Sequence, residues 1–180
     1  MKNVSKLLLM SMLTFMTFNA LAFNQSDSIQ VSVSGNIIAS SCNIQVKDTV
    51  SLGDYTRADL SVPGANSGLI PVDIILTQCS AGMTSATVTF TGSAYKDDPA
   101  FAGAIYANDL AEGTKDIGLQ LFNLDGKPLV NLANGVSYTF PVEAGTGSGK
   151  FKFASRLYSP HGTPTAGEFK ATVTLNFSYQ

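Results

Sequence analysis

The chain has 180 residues, with 11 Lys+Arg, 13 Asp+Glu and one His, and only 13% of it is charged. That length suits one domain with attachments and can bury a core without metal help. The slightly acidic balance excludes nucleic acid as a partner, since that needs a basic surface. One His and two Cys are too few for a His/Cys zinc site or a His-rich copper site, and no cofactor is called for.

Lys2 and Lys6 precede the apolar run Leu7 to Phe18, and Ala20-Leu21-Ala22 supplies small residues at a cleavage site. This order predicts a secretory signal peptide over 1-22, cut after Ala22. A spanning helix needs about 20 apolar residues, and here Ser11, Thr14, Thr17 and Asn19 interrupt the run. The mature chain then begins at Phe23. It loses two of the 11 basic residues against 13 acidic ones, for a net charge of −4.

Alternation of apolar and polar residues, the strand pattern, dominates the mature chain. Ile29, Val31, Val33 and Ile37 alternate with Gln30, Ser32, Ser34 and Asn36. Cys42 comes next. Ile70, Val72, Ile74 and Leu76 line one face of a strand ending near Cys79, with Ile75 on the other face. Strands are predicted at Ala86–Phe90, Ile117–Phe122, Tyr138–Phe140 and Phe151–Phe153. Residues 95-112 read as a loop or one short helix. Asp125-Gly126 and Asn134-Gly135 are short-turn signals. Gly145 to Gly149 reads as a flexible loop, and Ser159 to Pro164 as another. The last strand is the cleanest, with Phe169, Ala171, Val173, Leu175, Phe177 and Tyr179 on one face. About seven strands in such a chain predict an all-β, immunoglobulin-type sandwich.

Cys42 and Cys79 are the only cysteines, and export carries them to an oxidising compartment. A structural disulfide is the natural reading, worth roughly 4 kcal/mol for a loop of that size. A redox pair would sit closer in sequence, and a thiol nucleophile would need a His base.

The inventory for catalysis is poor. His161 is the only imidazole and sits in a Pro/Gly turn, which reads as a solvated loop side chain. Gly149-Lys150 ends a segment that misses a phosphate loop at two positions, Ala144 and Phe151. Asp97-Asp98 reads as a charged surface turn, since the segment lacks the spaced oxygen ligands of a calcium loop. The expectation is a non-enzyme.

The two ends carry the functional signal. A strand-like segment precedes the stapled body, and the sequence stops on a strand. A sandwich that lacks its final strand leaves unpaired backbone groups and an apolar groove, which an extended segment of another molecule can fill. Here the sequence resembles the subunits of chaperone–usher pili, closest to type 1 fimbrial subunits. The resemblance rests on four features: Asp27 to Cys42 with its in-register Gly35, the Cys pair, Val50-Ser51-Leu52-Gly53, and a C-terminal motif. That motif has Tyr179 next to last, Phe177, Leu175 and Val173 before it, and Gly167 fourteenth from the end.

The resemblance implies an incomplete immunoglobulin-like β-sandwich lacking its final strand, spanning 39-180, with an N-terminal donor-strand extension over 23-38. Ile29, Val31, Val33 and Ile37 would enter a neighbour's groove, with Gly35 where no side chain fits. Gly167, Val173, Leu175, Phe177 and Tyr179 would form the strand against which a periplasmic chaperone, and later a neighbouring subunit, lays its own. An outer-membrane usher would oversee the exchange, and the product would be an adhesive fimbrium outside the cell, with an unspecified host receptor as a further partner. A subunit with both groove and donor suits an internal rod or tip-adaptor position. The competing reading of the same residues is a secreted receptor- or carbohydrate-binding β-sandwich module with a complete fold.

Overall fold

Strand-forming alternation is realised in seven β-strands among the described residues. The computed structural model describes residues 32–35, 41–126 and 128–180. The strands are β1 (Asn43–Gln45), β2 (Ile70–Thr77), β3 (Ser85–Gly92), β4 (Gly118–Asn123), β5 (Ser137–Glu143), β6 (Ser148–Tyr158) and β7 (Val173–Tyr179). Two short 3₁₀ turns, Ala58–Leu60 and Pro99–Phe101, lie in the connections.

All ladders are antiparallel, and they form two layers joined at one corner. One layer runs β1-β2-β6-β4, and the other runs β5-β3-β7. The corner is the β5–β6 hairpin, where Val142 and Glu143 pair with Gly149 and Ser148. The inward faces meet in a core around Phe151, which is fully buried against the rings of Phe90, Tyr138, Phe140 and Phe153. On the outward face of β3 and β5, hydroxyls pair across the strands: Thr87 with Thr139 and Thr89 with Ser137, each at 2.7 Å.

The Cys42–Cys79 disulfide is formed, tying the approach to β1 to the end of β2. Several sequence expectations need correction. The segment Gly145 to Gly149 is no flexible loop: the amides of Thr146 and Gly147 both donate to the Glu143 carbonyl, and Ser148 and Gly149 already belong to β6. Ile117–Phe122 was expected to alternate, yet nearly all of β4 is buried on both faces. The 95–112 segment pairs with the edge of β4, where Tyr106 and Leu119 exchange backbone hydrogen bonds. The short β1 had no readable pattern. Of the expected strand over 29–37, Ser32–Gly35 lie in no ladder, and the rest falls outside the described residues.

Phe151→Ala removes the ring at the centre of the core and is expected to cost about 3–5 kcal/mol. Ile75→Thr, on the outer face of β2, should cost under about 0.5 kcal/mol. Urea denaturation of the oxidised mature chain measures both; equal costs would place the core elsewhere.

Candidate functional site

β7 is an edge strand. Among the described residues it pairs only with β3. Its register sets Tyr179, Phe177 and Leu175 opposite Ala86, Val88 and Phe90. Directly paired residues share a face of the sheet, yet their burial differs. Ala86, Val88 and Phe90 are all 0% exposed, whereas Val173, Leu175, Phe177 and Tyr179 are only half-buried. Nothing described covers the far flank of β7.

The backbone of β7 is open on the same side. Ser85 and Gln180 exchange both hydrogen bonds, N–H to carbonyl, at 3.0 Å. In an antiparallel ladder such pairs alternate with non-bonded ones, so Ser178, Asn176 and Thr174 bond β3. The amides and carbonyls of Val173, Leu175, Phe177 and Tyr179 therefore point to the free edge. The residues whose side chains face inward are the ones with unpaired backbone.

Beside this edge runs a groove of about 1270 Å³. Gly167 to Val173 and Leu175 form one wall, and Lys47 to Arg57 form the other. Val72, Leu119, Leu121 and Phe153 lie along its apolar floor. Gly167 has φ +153, and a Cβ there would meet the Thr114 amide nitrogen at 2.7 Å, so only glycine lets the wall lie so close. Such a groove can take an extended strand with apolar residues at alternate positions.

Of the C-terminal motif residues, Gly167, Val173 and Leu175 line the groove, while Phe177 and Tyr179 are half-buried residues further along β7 that do not line it. The donor residues Ile29, Val31 and Ile37 lie outside the described residues. Val33 is 90% exposed, and Gly35 has nothing within 4 Å of where its Cβ would be. The opposite wall was legible only at Val50 to Gly53. The rest of Lys47 to Arg57 has no periodicity and carries polar side chains that gave no signal.

His161 is not the free solvated side chain its turn suggested. Its Nδ1 lies 2.7 Å from an Asp116 oxygen and its Nε2 lies 3.0 Å from an Asp98 oxygen. Hydrogen bonds to Asp116 and then Asp98 raise the His161 pKa above its ordinary value. Burial would raise the Asp116 carboxyl, but hydrogen bonds from Thr163 and His161 outweigh it and hold the group low. The Ala100 amide and then His161 do the same for Asp98, which is thus a turn cap and ion-pair partner. Sequence reading missed this cluster because its members lie 45 and 63 positions apart.

The fimbrial protein family model matches residues 31–180. The chain belongs to that family. It is 30% identical over 167 residues to the fimbrial-like protein YdeR of Escherichia coli (strain K12), covering 91% of this chain and 93% of YdeR. It is 28% identical over 157 residues to Protein FimG of the same organism, covering 86% and 87%. Its fold matches a subunit in a solved chaperone–usher pilus with TM-score 0.59 at 16% identity, over 85% of this chain and 96% of that one. The protein is a structural subunit of a pilus, in a family and fold of structural proteins rather than enzymes.

The open edge makes a direct forecast for amide hydrogen exchange. With the groove empty, the amides of Val173, Leu175, Phe177 and Tyr179 should exchange much faster than those of Thr174, Asn176 and Ser178. Uniform protection along β7 would contradict the open edge.

Proposed function

We propose that this subunit polymerises by donor-strand exchange, accepting a neighbour's N-terminal segment in the β7 groove and offering its own to the next subunit. The observation that carries this reading is the coincidence, on one edge of β7, of unpaired backbone groups with half-buried apolar side chains. An added strand satisfies both at once, through ladder hydrogen bonds and alternate side chains.

The donor is the segment 23-38 of another copy or of a related subunit. Ile29, Val31, Val33 and Ile37 supply the alternating aliphatics, and Gly35 sits where the groove narrows. Four buried aliphatics give a gross gain of roughly 6–12 kcal/mol, reduced by the cost of ordering the segment. The contact is head-to-tail, so it propagates as a fibre rather than closing into a dimer. Before assembly, a periplasmic chaperone lends the missing strand, and exchange takes place at an outer-membrane usher. The signal peptide over 1-22 delivers the chain to that compartment, and the finished fimbrium stands at the cell surface and supports adhesion. Possessing both groove and donor, the subunit occupies an internal position. It acts by assembly, without catalysis.

The oxidised mature chain should form head-to-tail oligomers at high concentration, seen by size-exclusion chromatography. Removing residues 23-38 should stop polymerisation and leave a chain that takes up a synthetic peptide of residues 26-39. A truncated chain that still polymerises, or that refuses the peptide while folding cooperatively alone, overturns the proposal.

A further inference from the structure

The edge that faces the groove is longer than β7. The ladder to β3 ends where Gly92 pairs with Val173. Upstream of Val173, the wall from Glu168 to Thr172 contains no turn or bend. Its side chains keep the strand alternation. Phe169 and Ala171 pack half-buried against the core, as Val173, Leu175, Phe177 and Tyr179 do. Lys170 and Thr172 are exposed, as Thr174, Asn176 and Ser178 are. The chain is therefore already extended before its partner strand reaches it.

β3 does not pair with this stretch. Continuing the β3–β7 register would set Ser93 against Thr172 and Tyr95 against Lys170. Instead the Ser93 carbonyl accepts from the Ala107 amide at 2.8 Å, and the Tyr95 amide donates to the Ile105 carbonyl at 3.1 Å. Asn108 and Asp109 follow directly on Ala107 and stand in for the missing strand. The Thr172 amide donates to Asp109 Oδ2 at 2.7 Å. The Lys170 amide donates to Asn108 Oδ1 at 3.0 Å, and the Lys170 carbonyl accepts from the Asp109 amide at 2.7 Å. The Glu168 carbonyl accepts from Asn108 Nδ2 and from the Thr114 amide, each at 2.9 Å.

These bonds occupy the even-numbered positions, the same ones that β3 occupies along β7. The amides and carbonyls of Phe169 and Ala171 have no hydrogen-bond partner among the described residues. In extended chain, successive residues turn their backbone groups to opposite edges. Those of Phe169 and Ala171 therefore face the groove, which both residues line.

We infer that Asn108 and Asp109 are positioning residues that extend the acceptor edge from Val173 back to Phe169. They do for the wall what β3 does for β7. They hold its even positions, so that its odd positions present free N–H and C=O groups to an incoming strand. The length suits the donor. β7 has seven residues, whereas the alternating donor run from Ile29 to Ile37 has nine. The extended edge, Phe169 to Tyr179, has eleven. An edge confined to β7 leaves part of the donor run without ladder bonds, and the extended edge takes all of it. The inference rests on the donor-groove reading and assigns the residues that set how much of the donor is held.

Residue-resolved amide exchange by NMR tests it, on the oxidised mature chain with and without the peptide of residues 26-39. Exchange at each amide reports local opening. Bound peptide should slow the amides of Phe169 and Ala171 as well as those of Val173, Leu175, Phe177 and Tyr179. Asp109→Ala removes the acceptor of the Thr172 amide. In the complex it should speed exchange at Phe169 and Ala171 roughly tenfold, as loss of one charge-assisted hydrogen bond implies, and change Leu175, Phe177 and Tyr179 less than about twofold. Asp109→Asn keeps an acceptor oxygen and should restore the wild-type pattern. A peptide that slows only Val173 to Tyr179 in the wild-type chain overturns the inference and leaves the donor-groove reading standing; that comparison needs no substitution. Equal loss of protection along the whole edge in D109A, or no rescue by D109N, also overturns it. No slowing anywhere on the edge defeats the donor-groove reading and the inference with it.

Discussion

The structure depends on one unmet demand, the uncovered flank of β7. A strand in a sandwich interior satisfies its backbone on both sides and buries its inner face. β7 does neither on its outer flank, although β3 beside it is fully buried at Ala86, Val88 and Phe90. Exposed strand edges are a hazard that most proteins blunt with charge, proline or a covering loop. Here the inner face of β7 is aliphatic and aromatic, and its free edge carries no such device. In the proposed function that hazard becomes the assembly mechanism: the edge would recruit a strand, and recruiting one in a head-to-tail sense would build a fibre.

The rest of the body holds that edge in place. The Phe151 ring cluster fixes β6 between the layers and carries β5, β3 and finally β7 as successive neighbours. The disulfide ties the start of β1 to the end of β2 and so positions the opposite wall, which comes directly after β1. The close approach of Gly167 to Thr114 sets where the near wall runs.

Much of this was legible in residue order, for identifiable reasons. The inward residues of β2, β3 and β7 alternate strictly because one face meets the core, and their faces were assigned from sequence alone. β4 broke the pattern because nearly all of it is buried, with the 95–112 segment paired along its edge, a long-range arrangement that local periodicity cannot carry. β5 and β6 ran further than expected because Thr146 and Gly147 make a tight hairpin rather than a loose glycine loop. The C-terminal motif pointed to the near wall of the groove, while the far wall is irregular chain with no period to detect. The triad of His161, Asp98 and Asp116 was invisible because a lone histidine in a Pro/Gly turn says nothing about carboxylates brought to it by other loops.

The central claim is that the sandwich lacks one strand and that a segment like residues 26-39 supplies it. The direct measurement is thermal unfolding of residues 39-180 with that segment joined after Gln180 by a flexible linker, beside the same chain carrying a scrambled segment. The account predicts a cooperative monomer melting roughly 10–20 °C above the scrambled version, as several kcal/mol of added stability require in a domain of this size. Equal melting points, with both chains monomeric and cooperative, would show that the fold is already complete.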